Sequence, residues 1–394
     1  MNYPIVTLRK GKEKPILGGH PWVFSNAISQ EPAQGVTPGM LVRLQDFDGH
    51  PLGIGIYNPL TSIRVRLVSR LEEVIDAEFF SERFCRLASQ KTALLAPETT
   101  AFRLAHGDAD DMPGLIVDCY EDVIVFQIHT AGMDLLREAI IRGLRETFDL
   151  RALVERSDVL ARKREGLNDM PSCVHDGEIS SPVPFKEHGL HFSADVLNGQ
   201  KTGFFLDQRD AREYVRQISQ NKEVLNLFCY TGAFSVYAAA GGASSVVSVD
   251  DSRDAVEMAK AHFEQNAFSG EHAFLKEDAF DFCARMQQQE KSFDLIICDP
   301  PAFAKSREKI KTALQAYTRI NAACLRLLKE GGVLVASSCS GIVTFEDFKG
   351  ALRTAGSQTH RDLKIMRTFG QAFDHTDKLS FAEGQYLKTF VLTA

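Results

Sequence analysis

The second half of the chain alternates strand-like and helix-like segments, and this alternation restricts the fold more than any other feature. Five segments rich in Val, Leu and Ile are separated by longer stretches with helical spacing. These segments are Glu223–Leu227, Ser245–Asp250 and residues 293–299, 331–338 and 385–392. The pattern is typical of βαβ units around a mostly parallel sheet. We therefore predict an α/β, Rossmann-like domain over residues 184–394, opened by a hairpin at 185–195.

The first 72 residues carry the pattern of a small β-barrel. Residues 40–44 and 62–68 suggest strands, the second by alternation of apolar and charged side chains. Turn-forming residues lie between them at 46–49 and 58–59. We predict a small, separate β domain over residues 1–72.

Residues 73–183 predict a third domain, of the α+β type. Helical spacing and short apolar runs alternate here without the regular βαβ order. The predicted elements are helices at 76–95 and 135–148 and strands at 114–118, 123–128 and 152–156. Prolines and turn residues between 170 and 184 suggest the boundary to the last domain.

Charge and composition exclude several classes of protein. The formal net charge of −7 does not favour nucleic acid as a partner, since phosphate binding usually needs a clustered basic surface. Taken alone, the basic runs at 9–14 and 162–164 are solvated charges.

No apolar stretch approaches the roughly 20 residues of a membrane helix, and no signal peptide is present. The eight cysteines lack zinc or disulfide spacing. We expect a cytoplasmic protein without membrane partner or metal.

Polar residues follow several predicted strands, at the edge where doubly wound sheets bind ligands. A glycine-containing turn at 226–232 follows the first strand, and Asp250 ends the second. Asp278 lies between the segments 245–250 and 293–299, near the end of a further expected strand, and Asp299 begins an Asp-Pro-Pro sequence at the end of 293–299. Asp250 would suit ribose hydroxyls, and Asp278 could accept from an adenine amino group. The missing Gly-x-Gly-x-x-Gly pattern disfavours a nicotinamide-dependent dehydrogenase.

Together these positions resemble the motifs of class I S-adenosylmethionine-dependent methyltransferases. Residues 200–210, 226–232, 299–303 and 338–340 are similar to the RlmI-type 23S rRNA cytosine-5 methyltransferases, and the resemblance extends across nearly the whole chain. Residues 8–24 resemble the PUA domain of that family, a small RNA-binding barrel. The resemblance implies S-adenosyl-L-methionine as cofactor and 23S rRNA or a large-subunit precursor as partner. It also allows a homodimer.

The same resemblance implies a set of site residues. Cofactor contacts are assigned to Gln200, Thr202, Asp207, Arg209, Asn226, Phe228, Tyr230, Thr231, Gly232, Asp250, Asp251, Ser252, Asp278, Ala279, Asp299 and Pro300. RNA contacts are assigned to Arg9, Lys10, Lys12, Phe303 and Lys305. The catalytic residues are Cys339 and Asp299.

Cytosine-5 methylation explains the two catalytic assignments. Cytosine C5 is a weak nucleophile, and a thiolate that adds to C6 raises the electron density at C5. By resemblance, Cys339 is this nucleophile, while Asp299 contacts N3 and the exocyclic amino group. Many RNA cytosine-5 methyltransferases carry a second cysteine where this chain has Ala302. Product release must therefore use another group, because Cys298 is expected in the core. The base that removes the C5 proton is unassigned.

Alternatives remain open at this point. Phe303 suits stacking on a flipped base and packing against the next helix equally well. An Asp-Pro-Pro sequence followed by phenylalanine also occurs in enzymes that methylate exocyclic amino groups, which need no cysteine. A different class, a non-catalytic RNA-binding assembly factor with a methyltransferase fold, would not need the intact set of Asp250, Asp278 and Asp299.

Overall fold

The computed structural model describes residues 3–32, 35–268, 270–304 and 306–394. The chain divides into two compact units. The first contains residues up to 189, Ser193–Leu206 and Phe373–Gly384. The second contains Leu190–Phe192, Asp207–Ala372 and Gln385–Ala394. Over the described residues, no helix has both the length and the apolar character needed to cross a membrane.

The first unit begins with a six-stranded sheet in the order β2-β6-β5-β4-β1-β3. Its elements are β1 (Ile5–Leu8), α1 (Lys14–Leu17), β2 (Trp22–Phe24), β3 (Ile28–Gln30), β4 (Leu41–Gln45), β5 (Pro51–Tyr57) and β6 (Ile63–Ser69). Strands β1 and β4 are parallel, and the other neighbours are antiparallel. Alternate residues such as Val42, Leu44 and Val65 are buried and form the core of this sheet. Residues 1–72, predicted as a small β domain, contain this six-stranded sheet, and their independence as a domain stays a prediction.

A five-stranded sheet in the order β11-β10-β9-β8-β7 follows in the same unit. Its elements are α2 (Ala77–Thr92), β7 (Ala101–His106), β8 (Leu115–Tyr120), β9 (Val123–Ile128), α3 (Ala131–Leu135), α4 (Arg137–Thr147), β10 (Ala152–Glu155), α5 (Ala161–Arg164) and β11 (Cys173–Asp176). Strands β12 (Val183–Glu187) and β13 (Leu190–Ala194) form a two-stranded sheet.

The structure of this region adds to the prediction in two places. The helix predicted over 135–148 corresponds to α4, and the short helix α3 precedes it without having been predicted; Leu136, with a ψ of 7°, separates the two. The predicted boundary at 170–184 contains β11, which pairs antiparallel with β10. Because it pairs with β10, part of this segment is a regular strand, although its prolines suggest an irregular linker.

The second unit is built on a seven-stranded sheet in the order β16-β15-β14-β17-β18-β20-β19. Its elements are α6 (Arg209–Ile218), β14 (Glu223–Leu227), α7 (Ala233–Ala240), β15 (Ser245–Asp250), α8 (Arg253–Asn266), β16 (Glu271–Lys276), α9 (Ala279–Gln288), β17 (Phe293–Cys298), α10 (Ile310–Leu327), β18 (Leu328–Ser338), α11 (Phe345–Gln358), β19 (Lys364–Phe369) and β20 (Lys388–Thr393). The first five strands in chain order are parallel, and β20 runs antiparallel to both neighbours. This is the predicted Rossmann-like α/β fold.

The order of the strands determines where a ligand site can form. From β14 the chain adds β15 and β16 on one side, then returns to add β17 and β18 on the other. The point where the order reverses lies between β14 and β17, and ligands bind there, beyond the carboxyl ends of the strands. Buried Leu225, Ile296 and Leu334 hold these strands in one core.

Candidate active site

The loop after β14 has an unusual backbone. Phe228, Tyr230 and Gly232 have φ values of 57°, 47° and 75°. Aromatic residues rarely adopt positive φ, and such strain concentrates at functional sites. Glycine is required at 232, because a Cβ there would lie 2.7 Å from the Ala259 Cβ. The sequence therefore builds a tight, strained turn at the reversal of the strand order.

Asp250 joins this turn to the end of β15. Its Oδ2 accepts from the Tyr230 backbone N–H at 2.8 Å, and its Oδ1 accepts from the Ser252 N–H at 3.0 Å. Burial raises the pKa of Asp250, and the two backbone N–H donors oppose that rise. The carboxylate is thus fixed at the second strand end, where the sequence analysis assigns the ribose contact.

The turn also contains buried polar atoms that suit a ligand. Thr231 Oγ1 and Asn226 Oδ1 have no hydrogen-bond partner among the residues that the structure describes. Both residues are almost fully buried, and unsatisfied groups of this kind are uncommon in folded proteins. A polar ligand in this turn would complete their hydrogen bonding, so the site fits a cofactor with hydroxyl and amino groups.

Asp278 and Ser252 cap helices at the neighbouring strand ends. Asp278 Oδ1 accepts from the backbone N–H groups of Phe280 and Asp281 at 2.8 and 3.1 Å, which begins α9. Ser252 caps α8 through the Ala255 N–H. A cofactor contact by Asp278 would add to this capping role and stays a prediction.

Asp299, at the end of β17, is oriented by Gln208. The Gln208 Nε2 donates to Asp299 Oδ2 at 3.1 Å, while Gln208 Oε1 accepts from the Thr389 hydroxyl at 3.2 Å. Thr389 is also hydrogen-bonded to Ser337 at 2.8 Å. Because the Gln208 carbonyl is already engaged with Thr389, its amino group must face Asp299. This network fixes the orientation of the Asp299 carboxyl group at the start of the Asp-Pro-Pro loop.

Cys339 directly follows β18, the strand next to β17. Its thiol is half-buried, and Sγ lies 4.0 Å from the Pro300 carbonyl oxygen. Ser340 ties the two loops together, since its hydroxyl donates to the Ala304 carbonyl at 3.1 Å. The structure therefore brings the predicted nucleophile to the loop that begins with Asp299. Cys298 is fully buried, as expected from the sequence.

Tyr317 of α10 lies beneath both loops. Its hydroxyl accepts from Ser338 at 2.9 Å, and its ring centroid is 4.8 Å from that of Phe303. Burial raises the pKa of Tyr317 to about 12, and the negative charges of Cys339 and Asp299 contribute to that rise. Tyr317 is therefore neutral at physiological pH. The contact with Phe303 corresponds to the helix-packing role that the sequence analysis left open for this residue. Stacking of Phe303 on a flipped base stays a prediction.

Other predicted site residues lie in different parts of the structure. Gln200 and Thr202 belong to the first unit, where Thr202 is buried and hydrogen-bonded to Asp118 and Tyr120. Asp207 and Arg209 are buried in the second unit, and Asp207 accepts from the Tyr386 hydroxyl at 2.7 Å. Cofactor contacts by these four residues stay predictions.

The predicted RNA-binding residues are surface groups where the structure describes them. Arg9, Lys10 and Lys12 are exposed in the first unit. Lys305 lies outside the described residues. Phe303 is half-buried against Tyr317.

Three residues of the site were missed by the sequence analysis. Gln208 orients Asp299, Tyr317 supports both loops, and Lys388 donates to the loop that carries Cys339. Gln208 lies within residues 200–210, a segment that the family resemblance includes, and Lys388 has a signal in its strand. The alternation of β20 places it on the same face as Phe390 and Leu392, which are apolar and buried.

Comparison with known proteins agrees with this geometry. The family model of S-adenosylmethionine-dependent methyltransferases matches residues 159–356, and that of PUA-like domains matches residues 6–70. The ribosomal RNA large subunit methyltransferase I of Aeromonas salmonicida is 37% identical, covering 99% of each chain. That of Photobacterium profundum is 36% identical, covering 98% of each chain.

Solved structures show the same architecture over the full length. The crystal structure of SMU.776, a methyltransferase complexed with SAH, has a TM-score of 0.86 and 25% identity. The alignment covers 99% of this chain and 100% of that one. An S-adenosylmethionine-dependent methyltransferase from Streptococcus mutans gives a TM-score of 0.85 with the same identity and coverage.

Proposed function

The chain belongs to the ribosomal RNA large subunit methyltransferase I family of S-adenosylmethionine-dependent methyltransferases, and on this basis we propose that it forms 5-methylcytidine in 23S rRNA. The relatives' names support large-subunit ribosomal RNA as the substrate class. Cytosine C5 as the target atom rests on the chemistry of the site. The enzyme acts in the cytoplasm, on 23S rRNA or a large-subunit precursor.

One observation carries the choice of target atom. Cys339 and Asp299 follow neighbouring parallel strands, and the Cys339 Sγ lies 4.0 Å from the carbonyl oxygen of Pro300. Methylation of an exocyclic amino group needs no thiol, whereas C5 methylation needs a nucleophile within reach of C6. A half-buried cysteine beside the Asp-Pro-Pro loop supports the second chemistry.

The two side chains have complementary roles in this proposal. The Cys339 thiolate adds to cytosine C6, and negative charge develops over N3 and O2 of the base. Asp299 faces N3 and the exocyclic amino group; protonated from solvent when the base binds, it donates this proton to N3 as the C6 adduct forms and takes it back when the thiol leaves. Gln208 keeps the carboxyl group in that orientation. S-adenosylmethionine, when bound, supplies an electrophilic methyl group for C5.

The turn after β14 and Asp250 are the groups that would hold this cofactor. The turn offers unsatisfied polar atoms at Thr231 and Asn226, and Asp250 offers a fixed carboxylate for ribose hydroxyls.

We predict that Asp250→Ala weakens S-adenosylmethionine binding by about 1.5–3 kcal/mol, because the ribose hydroxyls lose a charged acceptor. Isothermal titration calorimetry measures the change directly. Asp254→Ala, which removes an exposed carboxylate from the first turn of α8, is the control and should bind as the wild type does. Unchanged affinity of the Asp250 variant would remove this residue from the cofactor site.

Contact between the first unit and RNA phosphates predicts that RNA affinity depends on the salt concentration. Replacing Arg9, Lys10 and Lys12 together with alanine should lower the affinity for 23S rRNA fragments at physiological salt. The slope of log K against log salt should become shallower by about 2, since each lost phosphate contact removes about 0.7–0.9. Filter binding at several salt concentrations measures both quantities. Lys260→Ala, an exposed cation of α8, is the control, and an unchanged slope in the triple variant argues against this contact.

Nucleoside analysis tests the proposed target atom. Wild-type protein is incubated with labelled S-adenosylmethionine and unmodified 23S rRNA, and the RNA is digested to nucleosides. We expect labelled 5-methylcytidine. A labelled purine would instead favour the exocyclic amino alternative. Cofactor binding without methylation of naked rRNA or of a large-subunit precursor would favour a non-catalytic assembly factor.

A further inference from the structure

Lys388, the first residue of β20, is a buried lysine that the proposed mechanism does not use. Its exposed fraction is 2%. Burying an ammonium group is costly unless it is hydrogen-bonded and faces opposite charge. The Lys388 Nζ donates to the carbonyl oxygens of Ser340 and Val343 at 2.7 and 2.6 Å. Both acceptors belong to the loop that begins with Cys339, so the lysine stabilises that loop.

Strand pairing places Lys388 opposite the residue that precedes the cysteine. In the antiparallel ladder of β18 and β20, Lys388 is the partner of Ser338, the residue before Cys339. Its ammonium then contacts Ser340, the residue after Cys339. Burial lowers the pKa of Lys388 to about 8, and negative charge on Cys339 opposes this decrease. The same electrostatic attraction acts in the other direction and favours the Cys339 thiolate.

The other groups that interact with Tyr317 and Lys388 bring no positive charge. Tyr317 of α10, on which Cys339 and Asp299 act, is neutral, and Asp347 of α11, which acts on Lys388, is a carboxylate. The Pro300 carbonyl oxygen at 4.0 Å also disfavours a thiolate. Lys388 provides a cation that opposes them.

We propose that Lys388 is a positioning residue for Cys339, which fixes the cysteine loop and stabilises the thiolate by its positive charge. The inference rests on the proposed role of Cys339 as nucleophile, because only a nucleophile needs the thiolate form. Lys388 itself is not the base that removes the C5 proton, since its ammonium donates to two backbone carbonyls.

The reactivity of the thiol tests this role. Wild type, Lys388→Met and the control Lys364→Met, which replaces an exposed lysine of β19, are alkylated with iodoacetamide between pH 6 and 10. Peptide mass spectrometry then quantifies modification at Cys339. We expect the midpoint of the Lys388→Met profile to rise by about one pH unit or more, so that alkylation at pH 7.5 slows about tenfold. The control profile should match the wild type, and an unshifted Lys388→Met profile overturns the proposal.

Methylation at different pH values separates charge from structure. If Lys388 stabilises the thiolate, methylation by Lys388→Met is impaired at neutral pH and recovers as pH rises, because the thiol then ionises without help. Lys388→Arg, which retains a positive charge, should keep the wild-type alkylation profile. A loss of activity that is equal at every pH would indicate a purely structural lysine and contradict the proposal.

A titration of Cys339 in protein that retains Lys388 tests the proposal even if Lys388→Met does not fold. The thiolate absorbance near 240 nm is titrated in wild type and in Cys339→Ala, and the difference gives the titration of Cys339 alone. A midpoint clearly below the ordinary cysteine value of about 8.5 supports the proposal, and a midpoint at or above it contradicts the proposal. Thiol titration is independent of turnover. If Cys339→Ala keeps full methylation, the proposed function fails although the titration can still show a stabilised thiolate.

Discussion

Replacing Cys339 with alanine should lower 23S rRNA methylation by at least about 10³-fold, because the base then has no nucleophile to activate C5. Cofactor affinity should be unchanged, since the turn after β14 and Asp250 do not involve the thiol. Single-turnover transfer of labelled methyl to RNA and calorimetry with S-adenosylmethionine measure the two effects separately.

Cys85→Ala is the matched control for that variant. Cys85 is an exposed cysteine of α2 in the first unit, and its replacement should leave methylation unchanged. Near wild-type activity in Cys339→Ala would exclude the covalent route and favour methylation of an exocyclic amino group.

Asp299→Asn should reduce the rate of methyl transfer by about 10²–10⁴-fold, the usual contribution of general acid–base catalysis. The asparagine has the same shape but cannot transfer a proton to N3. Its amide nitrogen could also face the Gln208 amino group, which Thr389 fixes in its present orientation. Two facing donors would displace the side chain.

Single-turnover kinetics at saturating RNA and cofactor measure this loss as a change in rate rather than in binding. Asp294→Asn is the control, because Asp294 lies on β17, the strand that leads to Asp299, and pairs with Lys329 at the opposite end of that strand. A wild-type rate for Asp299→Asn would show that the carboxyl group takes no part in the chemistry.

The sequence predicts the fold well where burial produces a clear pattern. The bounds of β14 and β15 match the prediction, because both are central strands of a parallel sheet. Strand β19 was missed, since most of its side chains are exposed and it shows no apolar alternation. Strand β5 was also missed, because Gly53 and Gly55 weaken its pattern. A Cβ at either position would collide with β6.

The site residues also divide into those that a sequence pattern reveals and those that it does not. Parallel strands bring their carboxyl ends to one edge, so Asp250, Asp299 and Cys339 could be grouped from the sequence. Gln208 and Lys388 could not be assigned, because their partners come from pairing between distant segments. Lys388 reaches Ser340 across the β18–β20 ladder, and no local pattern contains that contact.

Covalent trapping tests the proposed mechanism most directly. RNA in which cytidine is replaced by 5-fluorocytidine cannot lose a proton from C5, so an adduct at C6 persists after methyl transfer. With S-adenosylmethionine, we expect wild-type protein to form a stable RNA complex in which the modified peptide carries Cys339. Cys339→Ala should form none. Methyl transfer to unmodified rRNA without a trapped complex, or a complex through a different cysteine, would contradict the account.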